Sequence, residues 1–220
     1  VDEAQDLIKL QYINCLEKIL NGGLKNGQWC MALDEKQSIY NSELKQLLEV
    51  IEDDIRPVNA KLNKNCRNTM QITQKNIEVT GIEQSINKEA VGEEVEIVRY
   101  SNEISQRNNI KRIIKRLKMN GIKNNEIVIL SKHNYEESVF KGKNFLSEIA
   151  KVRKINEYIE ESNDSIIFST IHSFKGLESK IVLLCDVDDI EGTNAKMLNY
   201  VAISRAKLLL YILCDEKVKL

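Results

Sequence analysis

Short runs of apolar residues alternate with stretches of helical periodicity along most of this sequence. Five runs have the Val, Ile and Leu content of buried strands: EVEIVRY, EIVILS, SIIFST, KIVLLCDVDD and LLLYILCDE. Helical spacing separates them in ISQRNNIKRIIKRLKMNG, in a region from about Tyr135 to Glu161, and in NAKMLNYVAISRAK. This alternation predicts one open, mainly parallel sheet of about six strands with helices on both faces.

The beginning of the sequence predicts a smaller set of elements. LIKLQYINCLEKILNGG has helical spacing and ends in glycines, and NSELKQLLEVIEDDI is a second helix that ends before Pro57, the only proline. Between them, QWCMALDEKQSIY predicts a buried strand that runs into a polar loop, and we expect Trp29 to belong to the core. VNAKLNKNCRN is compatible with a further strand and its exit loop.

One helix combines an apolar face with a basic face. NIKRIIKRLK places Ile110, Ile113, Ile114 and Leu117 on one side, and the cations on the other side are Lys111, Arg112, Lys115 and Arg116. Such a face could follow the phosphates of a nucleic acid. A solvated surface is the more common role of this pattern, and both interpretations stay open.

Composition excludes several classes of protein. The 220 residues are 42% hydrophobic and 30% charged with a net charge of -1, so a sizeable core is expected and a uniform basic field is not. No run approaches the ~20 apolar residues of a membrane span. Five widely spaced cysteines without C-x-x-C, and only two histidines, suggest neither a disulfide framework nor a zinc site. We expect reduced, buried thiols and a cytoplasmic protein.

Polar residues that are unusual in strands follow the apolar runs. They are Asp2, Glu3, Asp34, Gln37, Arg67, Thr170, His172 and Asp186. The carboxyl edge of an open parallel sheet is where ligands bind, so we expect a site at that edge. The phosphate-loop pattern G-x-x-x-x-G-K-[ST] does not occur in the sequence.

Five stretches together resemble, in sequence order, the later motifs of UvrD/Rep-type superfamily 1 helicases. They are VDEAQD, ALDEKQSIY, LNKNCRN, STIHSFKGLESKIVLLCDVDD and NYVAISRAK, and they span nearly the whole sequence. The resemblance implies a RecA-like (P-loop NTPase-type) α/β fold. Residues 1–45 would be the tail of a first RecA-like domain with the Walker B and Gln-sensor motifs, and residues 46–220 a second, UvrD-like C-terminal domain. VDEAQD would then be half of a site, in a fragment that lacks the phosphate loop.

The same resemblance implies a division of labour around ATP. Asp2 would hold Mg²⁺, and Glu3 would orient or deprotonate the attacking water. Gln37 would sense the terminal phosphate. Arg67 and Arg205 would reach the phosphates, where a guanidinium stabilises the charge that builds on the transferred group. The alternatives are a solvated acidic loop, a turn glutamine and surface arginines.

Further residues would contact the nucleotide or single-stranded DNA. Glu178 in KGLE would accept hydrogen bonds from the ribose hydroxyls. Thr170, His172 and Lys175 would contact the DNA backbone or relay between the two sites, although His172 is equally compatible with a structural role. Tyr40 is a candidate for stacking on a base.

The sequence departs from the family in three places. Leu33 stands where a glycine is usual before the Asp, and the residues after Tyr40 lack the expected aromatic-Arg-Gly-Ala continuation, which puts stacking there in doubt. Only about a hundred residues separate Arg67 from Thr170, so the large inserted domain of UvrD and Rep is missing. The resemblance therefore indicates a compact relative.

Our leading hypothesis is a C-terminal fragment of an ATP-dependent DNA helicase or translocase that acts on single-stranded DNA in replication, repair or defence. The fragment alone should not hydrolyse ATP, whereas the full-length protein, with its N-terminal RecA-like domain in cis, should bind ATP and Mg²⁺. We also expect Arg67, Glu178 and Arg205 to cluster at one edge of the sheet, and Arg205→Ala to leave the fold intact.

Two other hypotheses stay open. One is a non-catalytic module for DNA binding or protein docking that keeps the helicase fold. The other is a different P-loop ATPase such as a recombinase, which fits the alternating pattern but not the KGLE and SRAK stretches.

Overall fold

The chain folds into two compact units, Val1–Asn63 and Lys64–Leu220. The computed structural model describes residues 1–34, 36, 44–142, 145–157 and 164–219. The assignment of residues 1–45 and 46–220 to two RecA-like domains stays a prediction.

The first unit is helical in the part that the structure describes. After a 3-10 helix at Ala4–Asp6 come α1 (Leu10–Ile19), α2 (Gly23–Asn26) and α3 (Leu44–Ile55). The buried residues Ala4, Ile8, Leu44 and Ile51 form its core. The two predicted helices are confirmed, and the second ends before Pro57 as expected because proline cannot continue a helix.

Trp29 packs against this core, which confirms the prediction that it is a core residue. Its indole Nε1 donates a hydrogen bond to the carbonyl oxygen of Leu24 at 2.6 Å. The buried strand predicted around it is wrong for the described residues 28–34, which are exposed or half-buried and have no strand assignment. Only a few backbone hydrogen bonds join this segment to residues 1–4, and so short a ladder does not make a sheet.

The second unit is built on one six-stranded sheet in which every pair of neighbours is parallel, as predicted. The strand order is β1-β6-β5-β2-β4-β3. The strands are β1 (Glu96–Tyr100), β2 (Ile127–Ser131), β3 (Val152–Lys154), β4 (Ile166–Thr170), β5 (Ser179–Val187) and β6 (Ala206–Asp215). All five predicted apolar runs form strands.

Helices cover both faces of the sheet. On one face, α5 (Glu103–Met119) buries Ile110, Ile113, Ile114 and Leu117, the four residues that its periodicity predicted. On the other face, α4 (Met70–Thr80) and α6 (Thr193–Ser204) pack on each other and on β6. Adjacent residues of β5 point to opposite faces and are both buried, as a doubly covered parallel sheet requires.

The helix predicted from about Tyr135 to Glu161 is wrong for the described residues of that region, which form turns and the short strand β3. Their apolar side chains do not form one helical face. They contribute individually to the core that also contains the buried side of α5, and the buried ones are Val139, Phe140, Leu146 and Ala150. Gly142 has a φ of +72°, a left-handed conformation that interrupts any helix there.

Helix α4 was not predicted from the sequence, although its ends carry ordinary signals. The Thr69 side chain accepts a hydrogen bond from the backbone N–H of Ile72, and Gly81 ends the helix with a φ of +69°.

All five cysteines are free thiols, but the expectation that they are buried holds only for Cys185 and Cys214, since Cys15, Cys30 and Cys66 are exposed. No helix in the described part of the chain is long and apolar enough to span a membrane.

Candidate functional site

Three residues that the sequence singled out converge at one edge of the sheet in the second unit. Glu178 immediately precedes β5, Arg205 immediately precedes β6, and these strands are paired in parallel from Ser179 and Ala206 onward. Arg67 reaches the same place from the segment before α4, and its Nε donates to Glu178 Oε2 at 2.9 Å.

This edge is the amino-terminal edge of the sheet, so the expectation that Arg67 would follow a strand end at the carboxyl edge is wrong. The segment before Arg67 forms no strand in the structure, and it is held instead by polar contacts with the residues that begin β5 and β6. Thr170 ends β4 and therefore lies at the opposite, carboxyl edge.

Glu178 joins two cations. Lys207, near the start of β6, donates to Oε1 at 2.7 Å while Arg67 occupies Oε2. The Lys207 ammonium, followed by the Arg67 hydrogen bond, holds the pKa of Glu178 below its usual value. The side chains of Arg67, Glu178 and Lys207 are each between about a third and a half exposed, so a ligand from solution can contact them. Lys207 was missed by the sequence analysis although it belongs to the SRAK stretch.

Arg205 is fully buried, whereas the sequence predicted an arginine that reaches the phosphates or lies at the surface. Its Nε donates to the carbonyl oxygen of Val201 at 3.1 Å and its Nη1 to that of Leu177 at 3.3 Å. In this conformation Arg205 holds the backbone at Leu177, the residue before Glu178, by a hydrogen bond. A contact between Arg205 and a phosphate would require the guanidinium to leave these carbonyl oxygens.

Asn68 ties the Arg67 segment to the start of β6. Its Nδ2 donates to the carbonyl oxygens of Ser204 and Ala206 at 3.0 and 2.6 Å, and the residue is buried. Asn65 Oδ1 accepts from the backbone N–H groups of Arg67 and Asn68, which fixes the turn that presents Arg67. The sequence motifs did not single out either residue, although asparagine is a common turn residue because its side chain accepts from backbone N–H groups two residues further on.

Three of the four residues predicted to contact DNA, Thr170, His172 and Lys175, lie at the end of β4 and on the segment between β4 and β5. Thr170 Oγ1 accepts from the Ser173 backbone N–H at 3.0 Å, and the Lys175 backbone N–H donates to the His172 carbonyl oxygen at 3.2 Å, so the segment begins as a tight turn. Burial, and then the charge of Lys175, lowers the pKa of His172. The segment starts at the carboxyl edge and ends with Glu178 at the amino edge.

The carboxyl edge carries a second polar group, at the end of β5. Asp186 adopts a left-handed conformation with φ 59°, and Ser131 Oγ donates to its Oδ2 at 2.5 Å. Burial and the neighbouring Asp186 raise the pKa of Tyr100, which keeps that phenol protonated.

In the first unit, Asp2 is exposed and Glu3 is half-buried. The Glu3 backbone N–H donates to Asp2 Oδ1 at 3.0 Å, and Glu3 has a φ of 50°. No group of three potential metal ligands occurs in the described residues. A magnesium ion bound through one or two carboxylates plus substrate phosphates does not need such a group.

The predictions for Gln37 and Tyr40 lie outside the described residues. Both roles stay predictions.

Comparison with solved structures identifies a similar fold in the C-terminal domain of a possible DNA helicase from Lactobacillus plantarum WCFS1. The two share 17% sequence identity with a TM-score of 0.53, over 69% of this chain and 88% of that chain. This likeness supports the RecA-like α/β fold of a parallel sheet flanked by helices. No protein-family model matches the sequence, and no curated protein does.

Proposed function

We propose that this chain is the C-terminal part of an ATP-dependent helicase or translocase, of the UvrD/Rep type, that acts on single-stranded DNA. The motif order and the similarity of fold to a domain described as part of a possible DNA helicase support this proposal. The observation that carries it is the convergence of Arg67, Glu178 and Lys207, which come from distant parts of the second unit.

The Arg67 cluster (Arg67, Glu178 and Lys207) has the chemistry of a nucleotide site. A carboxylate can accept hydrogen bonds from ribose hydroxyls, and two exposed cations can contact phosphate oxygens. Because both oxygens of Glu178 are engaged by the cations, binding of a nucleotide would exchange some of these contacts for contacts to the ligand. Arg67 is the residue we assign to the phosphates, with Arg205 as its support.

Asp2 and Glu3 would serve the other chemical requirements of phosphoryl transfer. Asp2 would hold Mg²⁺, and Glu3 would orient the attacking water or accept its proton. When bound, Mg²⁺ neutralises charge on the phosphates. The phosphate loop would belong to the N-terminal RecA-like domain that we propose for the full-length protein.

The segment from Thr170 to Glu178 supports a link between DNA binding and the nucleotide site. Thr170, His172 and Lys175 would contact the DNA backbone, and only two residues separate Lys175 from Glu178. If DNA binding shifts this segment, Glu178 would shift with it, and the contacts within the Arg67 cluster would change.

ATP hydrolysis by the full-length protein, measured with and without single-stranded DNA, tests the proposal. We expect turnover stimulated by DNA, none from the 220-residue chain alone, and a loss of ~10³-fold or more in Arg67→Ala, the scale measured for arginines in phosphoryl transfer. Arg56→Ala, at an exposed arginine of the first unit just before Pro57, is the matched control and should be unaffected. Undiminished turnover in Arg67→Ala would contradict the assignment.

A non-catalytic module for DNA binding or protein docking is the second candidate. The burial of Arg205 favours it, since the contacts of Arg205 stabilise the fold without a nucleotide, and both Glu178 oxygens are already engaged by cations of the chain itself. The absence of a phosphate loop in the reading frame upstream of Val1, together with no ATP turnover by the full-length protein, would select this candidate.

A further inference from the structure

Gln5 is a fully buried residue in the first unit whose side chain makes two directed contacts. Its Nε2 donates a hydrogen bond to Oε2 of Glu3. Its Oε1 accepts a hydrogen bond from the backbone N–H of Asp34 at 3.0 Å. The amide therefore joins the carboxylate proposed to orient the attacking water to the segment that begins at Asp34.

The backbone explains why a side chain is needed there. The Val1 nitrogen donates to the Cys30 carbonyl oxygen, and the Ala32 N–H donates to the Val1 carbonyl oxygen, which is the pattern of a parallel ladder. Beyond Ala4, whose N–H donates to the Ala32 carbonyl oxygen, the chain turns into the 3-10 helix. Because the backbone has turned away at this point, the Asp34 N–H donates to Gln5 Oε1 and not to a backbone carbonyl oxygen of residues 4–6.

The conformation of Glu3 also calls for such support. A non-glycine residue at φ 50° is in the sparsely populated left-handed region, and such residues cluster at functional sites where the surroundings hold them in place. The Gln5 amide is one of the groups that hold Glu3, because it reaches the carboxylate from two residues further along the chain.

We propose that Gln5 is a positioning residue that fixes the Glu3 carboxylate and connects it to the segment leading in sequence to Gln37. This inference rests on the proposed function of Glu3. A neutral amide is required because it donates to a carboxylate and accepts from an N–H at the same time. A carboxylate at this position would repel Glu3, and an apolar side chain would leave the Asp34 N–H without this acceptor.

The test uses the full-length protein and ATP, with kcat, KM and the thermal midpoint measured for each variant. Gln5→Glu keeps an oxygen for the Asp34 N–H and loses the donor to Glu3, and Gln5→Met has a similar length and no charge. We expect kcat to fall ~10²-fold, the scale of a catalytic group displaced by about 1 Å, with KM for ATP little changed. Gln11→Glu makes the same change at an exposed position of α1 and is the control.

A double-mutant cycle separates positioning from a general structural effect. If Gln5 acts through Glu3, then adding Gln5→Glu or Gln5→Met to Glu3→Gln should lower kcat no further. An unchanged kcat in both single variants, or the same loss of kcat in the Glu3→Gln background, would overturn the inference while the proposed function stands. If the unmodified full-length protein does not hydrolyse ATP, the proposed function fails and this inference fails with it.

Discussion

Arg67 and Glu178 are 111 positions apart in the sequence, and their side chains form an ion pair with an N–O distance of 2.9 Å. The pair joins the segment before α4 to the start of β5. Because Lys207 binds the other oxygen of Glu178, three segments of the second unit meet at this one carboxylate.

Replacement of Glu178 by Gln should change stability little. The ion pairs are about 40% exposed, and pairs of this kind contribute ~1 kcal/mol or less. Urea unfolding of the 220-residue chain at neutral pH measures the change in the free energy of unfolding. A loss of several kcal/mol would show that the cluster is mainly structural and would weaken its assignment to a nucleotide.

Arg205→Ala should destabilise the second unit, contrary to the expectation from the sequence that this substitution leaves the fold intact. The substitution removes a fully buried side chain and takes donors away from the carbonyl oxygens of Val201 and Leu177. We expect a loss of ~2–4 kcal/mol by the same unfolding measurement.

Arg112→Ala serves as the control for Arg205→Ala and should stay within ~0.5 kcal/mol, since Arg112 is exposed on α5. If the two variants have equal free energies of unfolding, the buried contacts of Arg205 do not stabilise the second unit. In that case the loss of ATP turnover in an Arg205 variant could be attributed to catalysis alone.

Asn68→Ala should cost about 1–3 kcal/mol, because Asn68 Nδ2 is a buried donor to the carbonyl oxygens of Ser204 and Ala206. Asn68→Asp should cost more, since a carboxylate oxygen would face two carbonyl oxygens. Thermal unfolding compares both with Asn108→Ala, a matched change at an exposed position of α5. Equal midpoints for Asn68→Asp and the unmodified chain would contradict the hydrogen-bond assignment.

The sheet was predictable because its strands are buried on both faces. Runs such as the one around Val182 and Leu184 cannot face water, so their composition identifies them without knowledge of the neighbours. The apolar residues of the region after Tyr135 are scattered among polar ones, and they pack individually against the core. Periodicity carries no information about such packing, which is why a helix was predicted there.

The candidate site was predictable in part of its membership, since Lys207 was not singled out, and not in its location. Motif resemblance picked Arg67, Glu178 and Arg205, yet it does not say on which side of a strand each residue lies. The contacts that settle this come from Asn68 and Lys207, whose partners are more than a hundred and about thirty positions away. Long-range polar contacts of this kind leave no periodic signal in a single sequence.

His172 gives the second unit a pH dependence whose sign follows from its lowered pKa. The unfolded chain takes up a proton near the ordinary value of ~6.5, whereas burial and Lys175 make the folded chain take it up only at lower pH. The contribution of His172 is therefore fully present above ~6.5 and is lost as the pH falls through the folded pKa. We expect the free energy of unfolding to decrease with acidification in this window, and His172→Gln to remove that part of the decrease.

His133→Gln, at the only other histidine, is the control. Urea unfolding across the window measures all three proteins, and identical pH dependence of His172→Gln and the unmodified chain would show that His172 is not shielded from water in the folded state.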